Sequence, residues 1–338
     1  MRIAILAHEK FPDRAKTAVG LLRYSSDEVV AVLDRESAGD RVHDYIPGVQ
    51  DAPIVSDMRE VPGAVDALVI GIAPIGGGFD ESWRSDVRTA IGRGCDVISG
   101  LHYFLEDDEE FASLAAEHDV DIWDVRDPSA DLTVAEGVAD TVDATVVLAV
   151  GTDCSTGKMT ASKELTLAAE EAGYDAAMVP TGQTGIMIEG WGIPVDRVVS
   201  DFAAGAVERM VLEAGDDHEY LFVEGQGSIT HPAYSGVTLS ILHGAMPDEL
   251  VLCHRADREA IHGYESFSLP PIGEYVSLYE SVAGPVADSE VVAGMLHTGS
   301  IDGDDGARRA IEDYENEVGV PATDPIRFDA ASILEAVL

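Results

Sequence analysis

The chain has 338 residues, 46% of them hydrophobic, and its 63 acidic against 21 basic side chains give a formal charge of −42. Such a surface repels nucleic acid and anionic membranes, which argues against both as partners. The acidic residues are scattered between apolar segments, so the composition describes a folded protein of a high-salt cytoplasm rather than a disordered chain, with salt screening the self-repulsion.

Met1 to Ala7 reads as a short strand rather than a secretory signal, and no apolar segment reaches the ~20 residues that cross a bilayer, so a cytoplasmic location is expected. Further strands are predicted at 29–33, 67–72, 96–99 and 121–123, with helices at 81–93 and 108–118 between them, the alternation of a parallel α/β sheet. Gly71-Ile-Ala-Pro-Ile-Gly-Gly-Gly78 follows a strand and precedes a helix. It is either a phosphate or nucleotide cradle or an ordinary strand-to-helix turn, and it lacks the full dinucleotide fingerprint. The pattern breaks around Asp127-Pro-Ser-Ala-Asp131 and a new strand starts at Ala144, which places a domain boundary near 140 and gives domains of 1–140 and 141–338.

The strand at 146–150 runs into Gly151, Thr152, Asp153, Cys154, Ser155, Thr156, Gly157, Lys158, Met159 and Thr160. A strand, a glycine-bounded loop, a lysine and a following helix make a phosphate-binding loop: successive backbone N–H groups turn towards an anion, and the helix adds its positive end. The chain has four lysines, Lys10, Lys16, Lys158 and Lys163, so a lysine in this loop is not surface filler. Lys158 is expected to be exposed and to meet phosphate rather than core. Five residues separate the two glycines, and Met159 stands where a magnesium-binding hydroxyl usually follows the lysine, so either Thr160 serves one step later or no metal is held.

Beyond it the reading continues with a helix at 157–172, strands at 175–180, 220–224, 249–253 and 291–296, helices near 201–214 and 236–245, and two amphipathic helices in the tail from 304 to 338. The strand at 220–224 ends in Glu224, followed by Gly225, Gln226 and Gly227. Ligands of open parallel sheets sit outside the strands' carboxyl ends, which puts Glu224 beside the phosphate loop. Cys95, Cys154 and Cys253 are too few and too irregular for a disulfide framework or a zinc site; Cys154 is either a loop thiol of lowered pKa or a small side chain in a crowded turn. Asp302-Gly-Asp-Asp-Gly306 lacks the closing glutamate of a calcium loop and reads as a polar turn leading a helix.

Locally, Gly-Thr-Asp-Cys-Ser-Thr-Gly-Lys with Val-Glu-Gly-Gln-Gly resembles the dethiobiotin synthetase branch of P-loop proteins. Over nearly the whole chain the sequence resembles a two-domain prokaryotic family of formerly unknown function that includes D-glutamate N-acetyltransferases. The segments that carry this likeness are Lys16-Thr-Ala-Val-Gly-Leu-Leu-Arg-Tyr24, Gly71 to Gly77, the loop at 151–160, Pro180-Thr-Gly-Gln-Thr-Gly185, Asp201-Phe-Ala-Ala-Gly-Ala206 and Glu224 to His231. The resemblance implies an amino-terminal Rossmann-like parallel sheet, a carboxyl-terminal P-loop NTPase-like parallel sheet, and a homo-oligomer.

Two function classes follow. In an acyltransferase, the loop holds the diphosphate of acetyl-CoA and the amino group of an acidic amino acid, D-glutamate by resemblance, attacks the thioester. That chemistry needs a base, either Glu224 or His231, and N–H donors for the oxyanion, from Gly225 to Gly227 or from the turn Thr181, Gly182, Gln183. Asp201 is either a further polar group of the site or a helix N-cap. Lys16, Arg23 and Lys158 are the candidate cations for an acidic substrate. In an ATP-dependent kinase or ligase, Lys158 neutralises the β/γ-phosphates while Asp153 and Glu224 hold magnesium.

Overall fold

The computed structural model describes residues 1–74 and 76–338. The chain divides into two compact units, Met1–Pro128 with Gln183–Arg197, and Ser129–Gly182 with Val198–Leu338.

The first unit runs β1 (Arg2–Leu6), α1 (Lys16–Tyr24), β2 (Glu28–Leu33), β3 (Ile54–Val55), β4 (Ala67–Ile70), α2 (Arg84–Gly92), β5 (Asp96–Ser99), α3 (Glu109–His118) and β6 (Ile122–Asp124). Its strands pair in parallel in the order β3-β2-β1-β4-β5-β6. The order reverses beside β1, as in dinucleotide-type doubly wound sheets. Ile3 to Leu6, Val29 to Leu33 and Ala67 to Ile70 are buried throughout, which is why they read as unbroken apolar runs: helices cover both faces of a parallel sheet. Asp108 caps α3 by accepting the N–H groups of Glu110 and Phe111. α1 has no such start signal, since its cap is Ala15. In the glycine run 71–78, Ile75 lies outside the described residues, so the cradle reading of that loop does too. Gly71 itself serves close packing, because a Cβ there would lie 2.4 Å from Ile5 Cγ2.

In the second unit β7 (Thr145–Gly151) leads through the phosphate loop to α4 (Lys158–Glu171) and β8 (Ala176–Val179). The next helix, α5 (Gln183–Glu189), belongs to the first unit, where Ile186 and Met187 join the core and the Thr184 hydroxyl lies 2.8 Å from that of Thr17. The second unit resumes with α6 (Ser200–Gly215), β9 (Tyr220–Glu224), α7 (Ser235–Ala245), β10 (Glu249–Arg255), α8 (Ile272–Ala283) and β11 (Glu290–His297). It ends with α9 (Asp304–Val318), β12 (Ala322–Thr323), α10 (Pro325–Phe328) and α11 (Ala331–Val337). The strand order is β12-β11-β10-β7-β9-β8, all parallel. Ala161, Leu165 and Ala169 of α4 and Ile333, Leu334 and Val337 of α11 cover one face, over Val147, Phe222 and Val251.

The units part at Pro128/Ser129, earlier than the expected 140, for a physical reason. The carboxylate of Glu208 on α6 accepts the N–H groups of Glu136, Gly137 and Val138 at 2.6–2.8 Å. Gly205 on the same helix lies so close to this segment that a Cβ would come within 2.1 Å of the Thr133 carbonyl. Residues 129–140 are thereby fastened to the second unit.

Candidate phosphate-binding site

The register of the second sheet brings its chemistry to one edge. Glu224 pairs with Ala149 and Cys253 with Gly151, so the ends of β9, β7 and β10 surround the loop at 151–157. Gly157 has φ +98°, the left-handed conformation that turns the loop into α4. The backbone N–H groups of Ser155, Thr156 and Gly157 donate to no protein acceptor among the described residues. Three such donors beside a helix N-terminus form an anion nest.

Lys158 is folded back across the loop. Its Nζ donates to the Asp153 carbonyl at 2.8 Å and lies 3.4 Å from the Thr156 hydroxyl, and the residue is only 7% exposed rather than open to solvent as expected. Two glycines make room for its stem. A Cβ on Gly151 would come 3.0 Å from Nζ, and one on Gly225 would come 3.3 Å from Cδ and 1.9 Å from the Ala149 carbonyl. Gly225 therefore permits the close approach of β9 to β7.

Elsewhere the loop is held from behind. The Thr152 hydroxyl lies 2.8 Å from His254 Nδ1, so it is turned towards the sheet. Burial pulls the His254 pKa down to about 4, which keeps its ring neutral near pH 7. Tyr275 and Tyr279, one turn apart on α8 and fully buried, donate to the Thr152 carbonyl at 3.0 Å and to the Gly151 carbonyl at 2.7 Å. The Tyr279 oxygen also accepts the Ile229 N–H, and the Tyr275 hydroxyl lies 2.8 Å from that of Thr230. The tyrosine pair thus ties the phosphate loop to the segment that carries His231.

Asp153 is fully buried and its oxygens are occupied. Oδ1 accepts the Cys154 N–H at 2.7 Å; Oδ2 accepts the His262 N–H at 2.8 Å and a hydrogen bond from Arg258 Nη1. Sequence reasoning missed Arg258, His254 and the tyrosine pair. Only the spacing of Tyr275 and Tyr279, which puts both on one helical face, offered a signal.

His231 is 1% exposed, and its Nδ1 accepts the N–H groups of Ala233 and Tyr234 at 3.1 and 3.2 Å. A ring that accepts at Nδ1 carries its proton on Nε2 when neutral, and burial pulls its pKa below the usual 6.5. Among the described residues Nε2–H makes no hydrogen bond, and it lies 4.0 Å from Asp153 Oδ1. In this tautomer the Nε2 edge of His231 is a donor, whereas the base role expected for it needs a lone pair. The same fact weighs against a metal on Asp153, Cys154 and His231, whose ligand atoms lie within 4.8 Å of one another, because Nε2 has no lone pair to give.

Glu224 Oε2 accepts the N–H groups of Thr181 at 3.2 Å and Gly182 at 3.1 Å, and the Thr181 hydroxyl donates to the Glu224 carbonyl at 2.7 Å. Gln226 Nε2 donates to the Thr181 carbonyl at 2.7 Å. Thr181, Gly182, Glu224 and Gln226 are thus brought together, and the first two spend their N–H groups on Glu224 and not on an oxyanion. Gly227 has φ +63° and packs on Thr238.

Gln183 does not join them. In the first unit its Oε1 accepts from Arg126 Nη2 at 2.7 Å, and Arg126 also pairs with Asp196. Lys16 and Arg23 lie on α1 of that unit, Lys16 exposed and Arg23 half-buried in the last turn. Asp201 is neither cap nor buried site residue: Val199 holds the cap position, and Asp201 is exposed in the first turn of α6.

Cys253 is a core thiol that burial pushes up to about 12, so it is inert. Among the described residues, no helix is long and apolar enough to cross a membrane.

Fold and site together define a two-domain α/β protein with a Rossmann-like first sheet and a P-loop in the second. Residues 35–128 match the domain of unknown function DUF1611_N, a Rossmann-like domain, and residues 133–334 match DUF1611_C, a P-loop domain. The chain belongs to this DUF1611 family. It is 34% identical over 328 residues to a D-glutamate N-acetyltransferase of Tritonibacter scottomollicae, covering 96% of this chain and 94% of that one. It is 37% identical over 268 residues to a D-glutamate N-acetyltransferase of a Pseudoalteromonas species, covering 79% and 80%. A crystal structure of a DUF1611 family protein from Anabaena variabilis matches with a TM-score of 0.94 at 40% identity, over 99% of this chain and 98% of that one.

Proposed function

We propose that this protein is a D-glutamate N-acetyltransferase that moves the acetyl group of acetyl-CoA to the substrate's amino group. The observation that carries the reading is 34% identity to an enzyme of that name over 96% of this chain. The site is compatible with it. The nest of Ser155, Thr156 and Gly157 with Lys158 suits the diphosphate of CoA.

In the reaction a base takes a proton from the substrate ammonium, the freed amine attacks the thioester carbonyl, and the tetrahedral intermediate expels the CoA thiolate, which is then protonated. Glu224 is our choice of base, since a carboxylate at the strand end can take a proton, whereas His231 presents Nε2–H. His231 is suited to donate a hydrogen bond to developing negative charge. The kinase reading fits less well, because the carboxylates it would use for magnesium are already hydrogen-bonded. We further place the enzyme in a high-salt cytoplasm, on its charge of −42, and as a homo-oligomer.

Thiol release from acetyl-CoA, followed with a chromogenic disulfide in EDTA, tests the reading. Release should require D-glutamate. ADP formation from ATP without any thiol release would overturn it.

A further inference from the structure

A diphosphate entering this loop meets a carboxylate. Asp153 lies inside the phosphate loop and is fully buried, so its charge is poorly screened and opposes an incoming anion. A divalent cation is the usual remedy, but this chain's residues are not arranged to hold one. Met159 follows the lysine, His231 offers a donor instead of a lone pair, and the Asp153 oxygens accept from Cys154, His262 and Arg258. Arg258 reaches the loop from the turn that follows β10, 105 residues along the chain, with a side chain 14% exposed. Apart from Nη1, its guanidinium N–H groups make no hydrogen bond to protein among the described residues. A guanidinium with one edge on a carboxylate and another edge free is suited to bridge that carboxylate to a phosphate oxygen.

We propose that Arg258 takes the place of the divalent cation, so that the phosphate loop binds a diphosphate without metal. The inference rests on the reading that this loop holds the diphosphate of CoA, and it deepens that reading by naming the charge that makes metal-free binding possible. Lys158 supplies the second cation, bound to the backbone carbonyl of Asp153 rather than to its carboxylate.

The test is calorimetric titration of the full chain with CoA and, separately, with inorganic pyrophosphate, each in EDTA and in magnesium. The wild type should bind both probes in EDTA about as tightly as in magnesium. Arg258→Ala should lose about tenfold or more in EDTA, the order of one charge-assisted contact, and magnesium should restore most of that loss. Adding Asp153→Asn to Arg258→Ala should restore binding in EDTA, because the repelling charge is gone; this double variant also serves if the single one, left with a buried unpaired carboxylate, is too unstable to purify.

A wild type that needs magnesium overturns the proposal, as does Arg258→Ala with undiminished affinity. A loss that neither magnesium nor Asp153→Asn repairs overturns it as well, since Arg258 would then only shape the loop. Pyrophosphate binding in EDTA without CoA binding supports the metal-free site and overturns only the CoA reading.

Discussion

The Tyr279 hydroxyl donates to the carbonyl of Gly151 at 2.7 Å, across 128 residues of chain, and so fixes the residue at which the central strand becomes the phosphate loop. Its oxygen also accepts the Ile229 N–H. Tyr279→Phe leaves a buried carbonyl and a buried N–H without their partner, which costs about 1–3 kcal/mol. Denaturant unfolding should show that loss. A variant as stable as the wild type would mean that the hydroxyl does not hold the loop.

Lys158 contributes a charge to the proposed diphosphate and a hydrogen bond to its own loop. Lys158→Ala should weaken CoA binding by about 10- to 100-fold, the range of a hydrogen bond to a charged group. Because Lys158 is 7% exposed and bonded to Asp153, the melting temperature should also fall slightly. Unchanged CoA affinity by calorimetry would remove the phosphate-loop assignment.

Glu224→Gln keeps the shape of the side chain but removes its basicity. With Glu224 as base, turnover should drop by ~10²-fold or more while acetyl-CoA affinity stays nearly unchanged. Turnover at the wild-type rate would leave Glu224 as the residue that merely organises Thr181 and Gly182.

His254 makes stability depend on acid. The unfolded chain takes up a proton on this ring near pH 6.5, whereas the folded chain refuses it until about 4. Between those values the unfolded state binds more protons, so stability is lost as pH falls through the window, by on the order of 3 kcal/mol for this ring alone. His102, His231 and His297, all pulled down chiefly by burial, act in the same direction. Thermal melts of His254→Gln should show a shallower decline between pH 6.5 and 4 than the wild type; parallel curves would refute the assignment.

Ionic strength should matter through the 63 acidic side chains. Lowering salt well below molar concentration lengthens the range of their repulsion and should reduce both melting temperature and activity. Full activity in dilute buffer would contradict the high-salt assignment.

The alternation of strands and helices was legible because both sheets are parallel and covered, so their strands are continuous apolar runs between polar turns. The phosphate loop was legible too, since Gly151, Gly157 and Lys158 fall within one eight-residue stretch of sequence. What supports the loop was not. Arg258 and Tyr279 meet it only through the order of strands β10, β7 and β9, which no local pattern encodes. The proton position on His231 depends on where a turn aims the N–H groups of Ala233 and Tyr234, and this is a matter of backbone geometry. Pro180 to Gly185 reads as one continuous motif, yet Gly182 and Gln183 belong to different units, because the apolar Ile186 and Met187 are buried in the first core.

The return of Gln183–Arg197 to the first unit has a consequence for synthesis on the ribosome. The amino-terminal sheet is fully made once Pro128 has emerged, but the helix that completes its core, α5, ends 61 residues after that, from 189 minus 128. At ~5–20 residues per second the nascent sheet waits roughly 3–12 s with the seat of Ile186 and Met187 open. During that interval the phosphate loop itself is translated, so the amino-terminal unit closes only after the Ser129–Gly182 segment of its neighbour exists.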